Sequence, residues 1–208
     1  VAVPSPRTLA RMASEHGRSE QDLCDAAVAA RAPMFSVAAD RMTVWCLQPG
    51  ASGADGKLAA ISSDMAGQTG LIIDLGATSP PCEAIRACAM LGATPVLANL
   101  ADQSARRELE ARYGPLHAVL YVPINVHTET DFTQIGIIEL VLNDHNGAAS
   151  NHDASEGNGP FSPLRCKHLA QLGINLASSL LELRLADKTQ QGERLLYRML
   201  PRHVVAQL

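Results

Sequence analysis

Aromatic residues are scarce in this chain: Phe, Tyr and Trp make up 3% of its 208 residues, with a single Trp. A core must therefore be built from aliphatic side chains, which supply much of the 47% hydrophobic content. Basic runs interleaved with aromatics are also lacking, and 17 Lys+Arg against 21 Asp+Glu leave a net charge of −4, so nucleic acid is not expected as a partner. No apolar run approaches the roughly 18–20 residues that cross a bilayer, and the N-terminus lacks the charged-then-apolar layout of a signal peptide. A cytoplasmic setting without membrane contact by this stretch is the expectation. The cysteines Cys24, Cys46, Cys82, Cys88 and Cys166 contain no C-x-x-C pair, and a chain of this length does not need disulfide staples, so they are read as reduced thiols.

What is present has a clear order. Residues 1–18 contain two prolines and weak periodicity, and read as an irregular lead. Leu23, Ala27, Ala30 and Met34 then recur at helical spacing behind Ser19, which is suited to cap the first backbone N–H groups, and Pro33 ends or bends that helix. Arg41–Gln48 and Lys57–Asp64 alternate like strands across a Pro-Gly-rich connection. A short strand at Leu71–Leu75, a helix at Pro81–Leu91, an extended piece at Pro95–Leu100 and a surface helix from Asp102 to Tyr113 follow, the last capped by Asp102 and stopped by Gly114-Pro115. His117–Ile124 and Gln134–Asn143 are near-continuously apolar, as central sheet strands are. Asp144–Pro160 is almost entirely small or polar, too hydrophilic to offset the entropy of ordering by burial, and reads as mobile.

A long helix starts near Pro163. Its Leu169, Leu172, Leu176, Leu180 and Leu183 step by three, four, four and three, an average of 3.5 that suits a seam against a parallel partner helix, and hence a homodimer through terminal helices. The same spacing also suits a closing helix whose leucines face its own sheet. The pattern fades through Asp187–Arg194, where Gly192 weakens the helix. The fold class expected is α/β (α+β): a central antiparallel sheet flanked by helices, with long N- and C-terminal helices.

The order of elements, together with Val122-Pro123-Ile124, Ile135-Gly136-Ile137, Asn143 and the segment Thr94-Pro95-Val96-Leu97-Ala98-Asn99 with Asp102, resembles a GAF domain over roughly residues 19–185. Residues 195–208, Leu-Leu-Tyr-Arg-Met-Leu-Pro-Arg-His-Val-Val-Ala-Gln-Leu, resemble the segment just before the catalytic domain of class III nucleotide cyclases. Together these imply a regulatory module, residues 186–208 forming a signalling helix and cyclase entry segment. The chain itself is then not an enzyme, while the parent protein is a guanylate or adenylate cyclase. Two other roles stay open: a dimerisation spacer with a vestigial pocket, and a thiol enzyme of the free methionine sulfoxide reductase type using Cys82 and Cys88.

The resemblance places a small-molecule pocket between one sheet face and the inserted helices, with contacts from about Ser79–Asp102 and the facing strands. Arg86, Asn99, Asp102 and Tyr121 are its candidate ligand-binding residues. Arg86 is placed to meet an anion and Asn99 to exchange hydrogen bonds, although both also suit exposed or capping roles. Cyclic-nucleotide-binding relatives carry Asn-Lys and Phe-x-x-x-Asp-Glu. Here Asp144 follows Asn143, and Arg165-Cys166 stands where Asp-Glu belongs, which argues against cAMP or cGMP. Bilin attachment uses Cys-His, a dipeptide this sequence does not contain. His117 beside a core strand reads as structural rather than as a haem ligand, and no metal or cofactor is called for.

Overall fold

The computed structural model describes residues 3–14, 19–30, 41–48, 56–65, 67–91, 94–127, 132–143 and 161–199. Helices α1 (Pro6–Ser14) and α2 (Glu20–Ala29) lead into strands β1 (Arg41–Leu47), β2 (Lys57–Ser63) and β3 (Ile72–Asp74). Helix α3 (Pro80–Leu91), strand β4 (Val96–Leu97) and helix α4 (Gln103–Tyr113) follow, then β5 (Leu116–His127), β6 (Phe132–Asn143) and α5 (Pro163–Met199). The six strands form one antiparallel sheet in the order β3-β2-β1-β6-β5-β4. This is the expected α/β class with a central antiparallel sheet. The predicted loop over 144–160 and the segment 200–208 lie outside the described residues, as do Pro33 and Met34.

Alternation along the strands gives the sheet two buried faces. On one, Met42, Val44 and Cys46 of β1, Leu120, Val122 and Ile124 of β5, and Ile138 and Leu140 of β6 pack under α1, α2 and α5. On the other, Trp45, Leu58, Val119, Tyr121, Ile137 and Val141 pack under α3 and α4. The β5–β6 pair, with its register from Leu116↔Asn143 to His127↔Phe132, is largely apolar through its middle, Val119–Ile124 against Gly136–Val141 with Glu139 as the polar exception, because both its faces are covered.

Three expectations are corrected by this packing. The lead is not irregular, since Pro6–Ser14 is helical, with Ser5 Oγ accepting from the Thr8 amide at 3.2 Å and Pro6 at the first helical position, where no N–H is needed. Leu9 and Ala13 of this helix are buried in the shared core, so the packed body begins before Ser19. The N-terminal end is not one long helix but two short ones of 9 and 10 residues. Finally, Leu169, Leu172, Leu176 and Leu180 are fully buried against the chain's own sheet and N-terminal helices, with Leu183 partly buried beside them. They form an intrachain core and not an interhelical seam. A helix lying on a sheet needs one apolar stripe just as a coiled coil does, so the 3.5-residue average alone did not discriminate.

Close approach of α5 to the sheet depends on Gly173, where an added Cβ would lie 2.3 Å from the Pro123 carbonyl oxygen. Because that oxygen is backbone, no rotamer change relieves the clash. Gly173→Ala is expected to lower folding stability by about 1–3 kcal/mol, measured by urea unfolding, with the native m-value retained. Further along, Arg184 donates to both carboxylate oxygens of Glu20 at 2.6 and 3.1 Å and to the Leu47 carbonyl at 3.2 Å. Beyond this clamp α5 leaves the body, and Leu185 and Leu195 are 54% and 58% exposed.

Candidate functional site

A cavity of about 220 Å³ lies between the sheet and the inserted helices, with Tyr121 of β5 at its inner wall. Ala84 and Ala87 of α3, Val96 and Ala98 around β4, and Ala105 of α4 make its sides apolar. Glu83, Asn99 and Asp102 add polar groups. A larger groove of about 420 Å³ runs beside Glu20, Leu47 and Arg184. Its principal cation is already committed to Glu20 and to a backbone carbonyl, so the smaller cavity is the better ligand candidate.

Of the four predicted ligand residues, the fold brings three to this cavity. Tyr121 is buried within the wall, facing Val96 across the β4–β5 pair. Asp102 is the N-cap of α4, its Oδ1 accepting from the Ser104 amide at 2.8 Å. Asn99 is exposed, and its Oδ1 accepts from the Ala101 amide at 3.2 Å. Arg86 does not line the cavity. Its guanidinium donates to the carbonyls of Leu75 at 2.7 Å and Ala77 at 3.5 Å, so it ties α3 to the preceding turn instead.

Behind Tyr121 lies a group that the sequence analysis did not single out. Glu139 of β6 sits directly opposite Tyr121 in the sheet and is fully buried. Its Oε1 accepts from the Tyr121 hydroxyl at 3.1 Å, and its Oε2 from Trp45 Nε1 at 2.7 Å and the Tyr113 hydroxyl at 2.8 Å. Gln68 Oε1 lies 3.1 Å from the same Tyr113 hydroxyl. The Arg112 guanidinium lies 5.8 Å from the ring centres of both Trp45 and Tyr113. Burial pushes the Glu139 carboxyl above its ordinary value, opposed by the donors Tyr113, Trp45 and Tyr121 and by the Arg112 charge. The cavity wall is thus held in place by a polar network buried under the sheet face. The one hint in the sequence was a Glu inside the otherwise apolar stretch Ile135–Leu142.

Cys82 and Cys88 are both buried on this side, with Cys82 Sγ donating to the Asp74 carbonyl at 3.5 Å. Burial pushes the Cys88 thiol up to about 11, which keeps it protonated at neutral pH. Among the described residues no group of three His, Cys, Asp or Glu side chains is placed to hold a metal ion, and no helix is long and apolar enough to cross a membrane.

By sequence, no family model matches the chain and no curated protein is similar to it. Its three-dimensional arrangement is far more informative. The phycoerythrobilin-bound GAF domain of a cyanobacterial phytochrome superposes with a TM-score of 0.57 at 12% identity, covering 90% of this chain and 100% of that one. The GAF domain of a two-component sensor histidine kinase from Bacillus halodurans gives 0.52 at 15% identity, covering 78% and 97%. This chain has the GAF fold. The chromophore-binding domain of a bacteriophytochrome from R. palustris is also similar, at a TM-score of 0.55 and 12% identity; the match covers 88% of this chain but 60% of that longer one. In GAF terms, the cavity lies on the sheet face covered by α3 and α4, and α5 lies on the opposite face.

Proposed function

We propose that this GAF domain is a regulatory sensor, in which a small molecule held between the sheet, α3 and α4 biases the position of α5 and thereby an output unit coupled to it. The observation that carries this reading is the wall residue Tyr121, which borders the cavity and is bonded through Glu139 to Trp45 of β1 and Tyr113 of α4. Strand β5, which bears Tyr121, also packs against α5 on its other face through Leu120 and Val122. A ligand that favours one placement of β5 therefore has a direct mechanical route to α5.

The finer reading is that the output is a class III nucleotide cyclase. Its support is the resemblance of residues 195–208 to a cyclase entry segment. Homodimerisation suits this role, because such catalytic domains work in pairs. With the buried leucines used internally, the face of α5 available to a second copy is the projecting part, where Leu185, Lys188, Gly192 and Leu195 recur at steps of three, four and three.

A thermal-shift panel of small metabolites at millimolar concentration tests the sensor. A cognate ligand is expected to raise Tm by several degrees through mass action, and Ala84→Leu, which fills the cavity, to cancel the rise. A chain that responds to no metabolite yet is dimeric by light scattering is a spacer, and the sensory reading is then abandoned.

A further inference from the structure

The chemistry of the cavity's rim narrows what it binds, an inference that rests on the cavity being a ligand site. Two helix N-termini reach it: α3 begins at Pro80 and α4 is capped by Asp102, and both residues line the space. Such ends ordinarily attract anions, through unpaired backbone N–H groups and a partial positive charge of roughly half a unit each. Here both sources of attraction are weakened. Helix α3 opens with Pro80 and Pro81, neither of which has an N–H to offer, and the Glu83 amide already bonds the Ser79 carbonyl at 3.0 Å. In α4 the Ser104 amide is taken by Asp102 Oδ1 at 2.8 Å and the Arg106 amide by the Asp102 carbonyl at 2.9 Å.

Charge points the same way. Glu83 and Asp102 contribute two negative charges against roughly one positive charge from the two helix ends together, leaving about one negative charge. No Lys, Arg or His lines the cavity among the described residues. Arg86, the cation carried by α3, is turned to the Leu75 and Ala77 carbonyls. A phosphate in this space would meet two carboxylates and no cationic side chain among the described residues. The remaining wall is apolar, and its volume of about 220 Å³ falls below the roughly 300–1,000 Å³ of sites for drug-sized molecules.

We propose that the cavity selects a small organic cation, an ammonium group on a compact apolar body, with Glu83 and Asp102 receiving the ammonium and the alanine-lined wall receiving the body. Anionic ligands, cyclic nucleotides among them, are rejected by the same rim.

The test measures calorimetric affinities of the whole chain for phenethylamine, 2-phenylethanol, 3-phenylpropionate and cAMP. The first three are close in size and differ in charge. Phenethylamine is expected to bind at least about tenfold more tightly than 2-phenylethanol, a difference of 1.4 kcal/mol, with no binding by the two anions. Combining Glu83→Gln with Asp102→Asn should reduce that preference to below about threefold, since Asn caps a helix as well as Asp and the fold is retained. Ala84→Leu should abolish amine binding. Equal affinity for amine and alcohol, a preference that survives the double substitution, or amine binding that survives Ala84→Leu overturns the proposal. Tighter binding of 3-phenylpropionate or cAMP also overturns it, while leaving the cavity as a ligand site. Silence from all four overturns the cation class, and the metabolite panel then decides separately whether the cavity binds anything.

Discussion

Replacing Glu139 with Leu is expected to remove about 3–5 kcal/mol of folding stability, a large share of the roughly 5–15 kcal/mol that holds a domain together. The side chain is fully buried, and the substitution takes away the acceptor of the Trp45 indole N–H and the Tyr121 hydroxyl. Tyr113 is spared, because Gln68 Oε1 remains 3.1 Å from its hydroxyl. Two orphaned donors outweigh the apolar gain from Leu, and Arg112, although still paired with Glu108 at 3.2 Å, loses the second acidic group near it. In thermal unfolding the loss corresponds to a fall in Tm on the order of 10 °C for a chain of this size. As the chain has a single Trp, fluorescence reports directly on the damaged site. A Leu variant that melts with the wild type would show that the network contributes nothing net.

Glu139→Gln separates shape from charge, since the amide can accept where Oε2 accepts and donate where Oε1 stands. Near or below the ordinary carboxyl value of 4.5, Glu139 is increasingly protonated in folded and unfolded chains alike, and burying it carries little penalty. As pH rises, the unfolded chain ionises first, because burial holds the folded carboxyl protonated to higher pH. Wild-type stability relative to Glu139→Gln is therefore expected to fall with rising pH above about 4.5, levelling once the folded carboxyl ionises too. Paired urea titrations from acid to neutral pH measure this difference.

Leu176→Ala is expected to lower stability by about 2–5 kcal/mol and to leave the oligomeric state unchanged. Leu176 is fully buried in the layer formed by α1, α2, α5 and the sheet, so truncation opens a hole inside one chain. An interhelical seam predicts the reverse, with dissociation on dilution and little loss within each subunit. Tm measured over a hundredfold range of protein concentration decides between them, since only a subunit interface makes the loss depend on concentration.

The parts of the fold that were legible in the residues are those governed locally. Ser19 and Asp22 form the capping box that starts α2, and Asp102 starts α4 as its sequence position implied. The apolar runs around Val122-Pro123-Ile124 and Ile135-Gly136-Ile137 became the central strands. Helix α1 was missed because proline was read as a breaker, although Pro6 stands at the one helical position that favours it. The cavity's neighbourhood was legible, but its supporting network was not. Trp45, Gln68, Tyr113, Tyr121 and Glu139 come from five separate stretches, and pairing among them is fixed by sheet register and helix placement. Nor does a polar residue in an apolar strand reveal which partners it will find.

The N-terminal helix has a practical consequence for anyone trimming this protein. Asn175 Nδ2 donates to the Pro4 carbonyl at 2.8 Å and Ser179 Oγ to the Pro6 carbonyl at 3.4 Å, stitching the first helix onto the last. A shortened version starting at Ser19, where the first well-marked cap invites a cut, would lose Leu9 and Ala13 and bare an oily furrow along α5. Such a truncate should be sticky in solution, and self-association through that furrow would be an artefact of the missing cover, distinct from pairing through the projecting part of α5.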